Sequence, residues 1–350
     1  MPRGPRYLPP GWSVEITTRT ICGFFLLPAT HHFARIFAGV LAHAQEKHPG
    51  LRIHAAVAVS SHYHLILTPV DGDQLADFME HVNGNLAREA GRLVGWRGHF
   101  WAERYHLVPI SPEPQAMLER LHYVLSHTIK ENLVARISDW EGLHCAQALI
   151  DGKPLPGVWY DRTNEYEAKR QAARCAARRG TPEEEIDRGA FMIPYQLKLA
   201  PLPCWESLPL ATRRQRVARM VAEIEDTAAR RREKLGTEPL GMDRIRNQDP
   251  LTRAVKSKRS PKPLCHAASA DMRDRVRLAY RSFVAMFREA SLSLRFGDVL
   301  AAVFPKGSFP PSLPFVRTGR NSTRSPTQAA RRASRSGPAP RAESGRRAQA

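Results

Sequence analysis

The sequence predicts an α+β fold: an antiparallel sheet with helices packed on it, a mainly helical extension, and an arginine-rich tail with no core. Three observations carry this. In the first 150 residues, apolar side chains recur with period two in some stretches and near 3.6 in others, in the order β-α-β-β-α-β-α. Thirteen of the 14 histidines lie in the first 144 residues, whereas the remainder reads as helices between proline-rich linkers. From residue 317 onward no apolar side chain larger than alanine occurs.

The elements follow in order. Val14, Ile16 and Thr18 alternate with polar neighbours as an edge or half-buried strand does. Residues 32–46 place Phe33, Ile36, Phe37, Val40 and Leu41 at helical spacing. Residues 52–70 read as one long strand, or as a strand pair bent at Ser60-Ser61. In the single-strand reading, Ile53, Ala55, Val57, Val59, Tyr63, Leu65 and Leu67 form one apolar face, and His62 and His64 lie on the other. Residues 74–94 form a helix with Leu75, Phe78, Met79, Val82 and Leu86 on one side. Residues 100–110 form a strand and residues 112–134 a helix.

In the second half, helices are expected over residues 165–179, 213–234 and 271–293. Val217, Met220, Val221 and Ile224 stripe the second of these; Val276, Tyr280, Phe283 and Phe287 stripe the third. Gly and Pro punctuation in residues 151–157 marks a boundary, giving a domain over 1–150, an extension over 151–316 and a disordered tail over 317–350.

Composition narrows the function classes. A chain of 350 residues has room for about two cores. No apolar run reaches the roughly 18 to 20 residues of a membrane helix, and residues 21–29 are broken by Pro28. The first ten residues hold four prolines and no apolar segment, so no signal peptide is read and a cytoplasmic, nucleoid-associated address is expected. Fifty-three basic against 34 acidic residues leave a net charge of +19, which favours a polyanionic partner. The tail carries eight of these charges, so the folded part remains at +11. Forty-three of the basic residues are arginine, whose forks suit phosphate oxygens, although a GC-rich genome gives the same bias. Five scattered cysteines without a Cys-x-x-Cys pair exclude a zinc ribbon and a disulfide framework.

The chemistry concentrates in two places. His62 and His64, two apart on one strand face, can chelate a divalent cation; alone, such a pair is more often structural. On the helix over 112–134, Leu118, Leu121 and Leu125 form the stripe expected to face the sheet. Tyr123 and His127 fall together on the opposite, polar side, flanked by Arg120 and Lys130. A tyrosine hydroxyl beside cations is a candidate nucleophile for phosphodiesters, because positive charge favours the phenolate. His127 is then a candidate third metal ligand.

Residues 6–150 resemble the single-tyrosine HUH transposases of the insertion-sequence-200 type, in the branch of REP-associated tyrosine transposases. The resemblance is carried by Thr17-Thr18-Arg19, by His62-Tyr63-His64 with Leu65-Ile66-Leu67-Thr68-Pro69 behind it, by Trp101-Ala102-Glu103-Arg104-Tyr105, and by Tyr123 through Asn132-Leu133-Val134. Three positions depart from the family pattern. Val59-Ser60-Ser61 stands where Met-Pro-Asn is frequent, His127 replaces the usual metal-binding amide, and His127-Thr128-Ile129-Lys130-Glu131 replaces Asn-Pro-Val-Arg-Ala.

The resemblance implies an HUH endonuclease fold, ferredoxin- or RRM-like, over 1–150. It also implies a divalent metal ion (Mg or Mn) on His62 and His64, with His127 at the third position. The activity implied is nicking and rejoining of single-stranded or hairpin DNA through Tyr123. Arg104, Arg120 and Lys130 are the candidate DNA contacts, although Glu103 and Arg104 can equally brace the sheet. Trp101 and Tyr105 would share a strand face, as stacking platforms for bases or, the favoured reading, as core. The remaining alternative is a hairpin-binding protein on the same fold without chemistry, as monomer or homodimer. A metal-dependent hydrolase unrelated to DNA is disfavoured by the +11 charge of the folded part.

Overall fold

A computed structural model describes residues 5–180, 186–253, 263–310 and 317–318. Four strands form one antiparallel sheet: β1 (Ser13–Arg19), β2 (Arg52–Val59), β3 (His62–Thr68) and β4 (His106–Ile110). Their order across the sheet is β2-β3-β1-β4, so β3 and β1 are central. Two helices cover one face, α1 (His31–Lys47) and α2 (Gly72–Leu93). The hydroxyl of Thr30 caps α1 by accepting from the Phe33 amide at 3.2 Å, and the Asp71 carboxylate caps α2 by accepting from Gln74 at 2.8 Å. The other face carries α3 (Pro114–Leu125) and the single turn α4 (His127–Lys130). The element order and α+β class agree with the periodicity.

Residues 52–70 form a hairpin, and this overturns the single apolar face expected for the odd positions. The turn at Ser60-Ser61 reverses the chain so that residues of opposite parity face each other: Val57 pairs with His64 and Val59 with His62. A register shift between Ile53 and Ala55 completes the swap. Ile53, Ala56, Ala58, Tyr63, Leu65 and Leu67 therefore join the core under α1 and α2. Ala55, Val57 and Val59 join the core under α3, on the histidine face.

Two more boundaries move. The strand expected over 100–110 begins only at His106, because Trp101 instead bridges Thr20 and donates its indole N–H to the Asn83 carbonyl at 3.0 Å. Trp101 and Tyr105 thus share no strand face; Trp101 packs edge-on to Tyr63, and Tyr105 is buried. The helix expected over 112–134 breaks at Ser126, whose hydroxyl donates back to the Tyr123 carbonyl at 2.9 Å.

The short helix α5 (Ala146–Asp151) leads into the extension, where α6 (Arg162–Arg179), α7 (Leu210–Leu235) and α9 (Ala270–Arg295) match the three helices read from the sequence, with the short α8 (Met242–Arg246) added. Periodicity missed an antiparallel pair, β5 (Leu155–Tyr160) with β6 (Met192–Leu197), joined through α6, and a parallel pair, β7 (Val303–Phe304) with β8 (Arg317–Thr318). Apart from β8, the segment expected to be disordered lies outside the described residues. Packing crosses residue 151: Leu197 belongs to the core under α1, and Val217, Ile224 and Ile245 to the core under α3.

Chain that lies outside the sheet covers both of its outer strands. On β2, the Ala58 amide donates to Leu143 O at 2.9 Å, and Cys145 and Ala200 amides donate to Ala56 O and Ile53 O at 3.1 and 2.8 Å. On β4, Pro109 lacks an N–H, as suits an edge strand, and its carbonyl accepts the His266 amide at 2.8 Å.

Helix α1 meets β5 backbone to backbone. A Cβ on Gly39 would lie 2.1 Å from the Val158 carbonyl oxygen, and one on Gly157 would lie 2.3 Å from the Gly39 nitrogen. Both obstacles are main chain and cannot rotate away. Helix propensity alone would make Gly39→Ala stabilising by about 1 kcal/mol. Forcing α1 off β5 outweighs this, and the expected net loss is about 2 kcal/mol, read as a lower urea midpoint. A midpoint at or above wild type would show that the two backbones separate freely.

Candidate functional site

Because β3 is a central strand, its two histidines sit in the middle of the sheet. Across β1, Thr17 stands opposite His64 and Arg19 opposite His62. The break at Ser126 turns His127 down onto the same place, and all three imidazoles are buried. Ring centroids lie 5.3 Å apart for His62 and His64, 4.8 Å for His62 and His127, and 4.4 Å for His64 and His127. One ligating atom from each lies within 4.8 Å of the others. Among the described residues this is the one cluster of three or more side chains able to hold a metal ion.

The polar side of α3 does not lie opposite the sheet, where the sequence reading put it, but meets the sheet itself. Helix α3 is covered twice, by the sheet and by α7, so Leu121, Val124 and Leu125 pack with Val57 and Ile66 on one hand and Val217 and Ile224 on the other. Arg120, Tyr123 and His127 meet β1 and β3 instead. The Tyr123 ring is 5.7 Å from the rings of both His64 and His127. The Arg120 guanidinium lies over that ring at 4.0 Å and the Lys130 ammonium at 4.4 Å. Tyr123 is half-buried and Lys130 exposed, so this is the open side of the cluster.

Sequence reasoning missed Glu15. This strand residue is 5 % exposed, yet it carries a carboxylate with one hydrogen-bond donor, His64, and two further ion-pair partners, Arg120 and His266, against it. His64 Nδ1 lies 2.9 Å from Oε1, and Arg120 Nε and His266 Nε2 lie 2.9 and 3.1 Å from Oε2. Burial pushes the Glu15 carboxyl up, but hydrogen bonds from His266 and His64 and the Arg120 charge prevail and hold it well below the usual range. With Nδ1–H donated to a carboxylate, His64 keeps its Nε2 lone pair for a ligand. That nitrogen is buried and has no hydrogen-bond partner.

Burial holds the rings of His62 and His127 neutral. Burial, then the neighbouring His64, His127 and Arg19, drive the His62 imidazolium well below its ordinary range. Burial, followed by His64 and Lys130, lowers His127 to about 2. His62 Nδ1 meets the Ser61 hydroxyl at 3.0 Å, and its Nε2 faces His127 Nε2 at 2.7 Å. Three buried imidazoles, two of them with an orphaned nitrogen (His64 Nε2 and His127 Nδ1) and one with a carboxylate behind it, fit a divalent transition metal.

Arg104 is not brought here; it is exposed next to Tyr105, whose ring packs in the core under α1 and α2 with the Arg6 guanidinium over it at 4.0 Å. His54 is satisfied between the Thr68 hydroxyl at 2.8 Å and the Ala200 carbonyl at 3.1 Å.

No protein-family model matches the chain, and no curated protein does. Parts of it are similar to two solved structures. One is a REP-associated tyrosine transposase bound to a REP hairpin, with 20 % identity and a TM-score of 0.34 over 40 % of this chain and 80 % of that one. Another is a protein of Deinococcus radiodurans R1 described as a transposase, with 20 % identity and a TM-score of 0.25 over 35 % of this chain and 95 % of that one. At such scores the functional reading rests on the residues of this chain. None of the described helices is long and apolar enough to cross a membrane.

The depressed imidazoles set a pH dependence. Below the unfolded value of 6.5, the unfolded chain takes up protons that folded His62 and His127 refuse. Stability is therefore present above pH 6.5 and falls as the pH drops below it, by up to about 1.4 kcal/mol per unit per imidazole. Glu15, also depressed, acts in the same direction at lower pH. Urea midpoints of metal-free protein should fall from pH 7 to pH 4, and saturating divalent metal should shift that fall to lower pH. A flat profile would mean that the imidazoles protonate freely in the folded chain.

Proposed function

We propose that this protein nicks and rejoins single-stranded or hairpin DNA through Tyr123, assisted by a divalent metal held by His62, His64 and His127. The observation that carries the reading is the place of Tyr123: half-buried at the rim of the histidine cluster, 5.7 Å from two of its rings, between two cations. The basic charge of the chain and the motifs His62-Tyr63-His64 and Trp101-Ala102-Glu103-Arg104-Tyr105 support DNA as the substrate.

A divalent cation bound there supplies Lewis acidity to the scissile phosphate. The residues do the rest. Arg120 and Lys130 stabilise negative charge developing on the Tyr123 oxygen as its proton leaves. That oxygen attacks phosphorus, a P–O(Tyr) bond forms, and the P–O3′ bond breaks. The products are a 5′-phosphotyrosine and a 3′ oxygen that takes up a proton. Number and charge of ester bonds are conserved, so the released 3′-hydroxyl can reverse the step without an external energy source. Lys130 is exposed and free to meet a phosphate as well, whereas Arg120 is committed to Glu15.

Tyr123→Phe removes the attacking oxygen alone. Hairpin affinity and fold should stay near wild type while the covalent protein–DNA adduct on a denaturing gel disappears. An adduct at wild-type yield would assign the nucleophile elsewhere, and wild type that binds hairpin without forming any adduct would favour the binding-only alternative.

The three-imidazole set also predicts metal preference. Manganese, cobalt or nickel should support cleavage better than magnesium, which prefers oxygen ligands. His127→Asn should move the preference towards magnesium with activity retained, and His64→Ala should abolish cleavage in every metal. Wild-type rates and metal profile in His127→Ala would exclude His127 as a ligand.

A further inference from the structure

His266 is the one histidine of the second half of the chain, and it reaches the site although nothing near it in sequence belongs there. Its backbone is fixed at two points on the outer side of β4: its amide donates to Pro109 O at 2.8 Å, and its carbonyl accepts from Ser111 at 2.8 Å. The segment behind it is fixed again. The amides of Ala268 and Ser269 donate to the Glu113 carboxylate at 3.0 and 3.1 Å, at the residue that opens α3. The His266 side chain therefore has a set direction, and its Nε2 lies 3.1 Å from Glu15 Oε2.

We infer that His266 is a positioning residue for the metal-capable histidines, acting through Glu15, and that the extension is thereby part of the site. The inference rests on the metal reading proposed above. A carboxylate has about four lone-pair sites, and its two oxygens turn about one bond. His64 and Arg120 pull on different oxygens of Glu15, and His266 shares Oε2 with Arg120. Removing His266 leaves Oε2 to Arg120 alone, whose guanidinium also stacks on Tyr123. Glu15 can then rotate, and His64 is left with the Thr17 hydroxyl, at 3.2 Å from Nδ1, in place of the carboxylate that keeps its Nε2 bare and aimed at the cluster. A packing residue at this place would need only volume; a positioning residue needs a polar nitrogen at the Nε2 position, in contact with Glu15 Oε2.

That distinction makes the test. Glutamine places an amide nitrogen near where Nε2 lies, and asparagine places one near Nδ1, too short to reach Glu15. Full-length His266→Gln and His266→Asn would be titrated with cobalt(II), following the visible absorption of the bound ion. Metal-free thermal unfolding would be recorded beside each titration. His266→Gln should bind within about threefold of wild type, and His266→Asn about 10- to 100-fold more weakly. Glu15→Gln combined with His266→Asn should add little to Glu15→Gln alone, since both act on one hydrogen bond to His64.

Wild-type affinity in His266→Asn, or equal weakening in the two variants, would overturn the positioning role while leaving the metal reading standing. Wild type that takes up no cobalt would overturn the metal reading, and this inference with it. A readout that needs no variant is the imidazole nitrogen spectrum of the metal-free wild type. It should show a protonated Nε2 on His266 and a bare Nε2 on His64. A bare Nε2 on His266 would overturn the inference even if neither variant folded.

Discussion

Glu15 places a carboxylate in the middle of a sheet, where water cannot reach it. An unpaired charge in that position would cost several kcal/mol, and a broken pair nearly as much. Its tolerance there depends on donors arriving from three separate parts of the chain: His64 on the neighbouring strand, Arg120 on α3 and His266 beyond α8. Each donor in turn has its place fixed by the others. The carboxylate keeps Arg120 over the Tyr123 ring, fixes which His64 nitrogen is bare, and ties the far end of the chain to β4. The arrangement of nucleophile and ligands is thus a consequence of solving one desolvation problem.

Burial divides the labour between the residues of the site. The imidazoles are buried, and burial keeps His62 and His127 neutral, which suits groups that must present lone pairs. Tyr123 stands at the wet rim with a cation near each side of its ring, which suits a group that must meet a large anionic substrate.

What could be read from the sequence was whatever repeats locally. The order of strands and helices, the histidine pair and the Tyr123–His127 spacing all lie within short windows, where periodicity acts. The face assignment of Val57 and Val59 failed, since it turns on whether two residues, Ser60 and Ser61, bend or reverse the chain. The orientation of α3 failed for a related reason: α7, far along the chain, covers part of its apolar stripe, so that Arg120 and Tyr123 turn to the sheet, and nothing local reveals that second cover. Glu15 read as an ordinary polar residue of an alternating strand, and His266 carried no ligand spacing at all. The only local sign was a lone histidine in a half of the chain otherwise without one.

The covering of β2 by residues 143–145 and 200, and of β4 by His266, bears on how copies of this chain can meet. Open strand edges are templates onto which another molecule can add by main-chain pairing, and they are a common route to uncontrolled assembly. Here the outer side of β2 is engaged by the chain's own loops, and beside β4 the Pro109 carbonyl and the Ser111 amide are taken by His266. At those positions the chain itself already occupies the place an added strand would need.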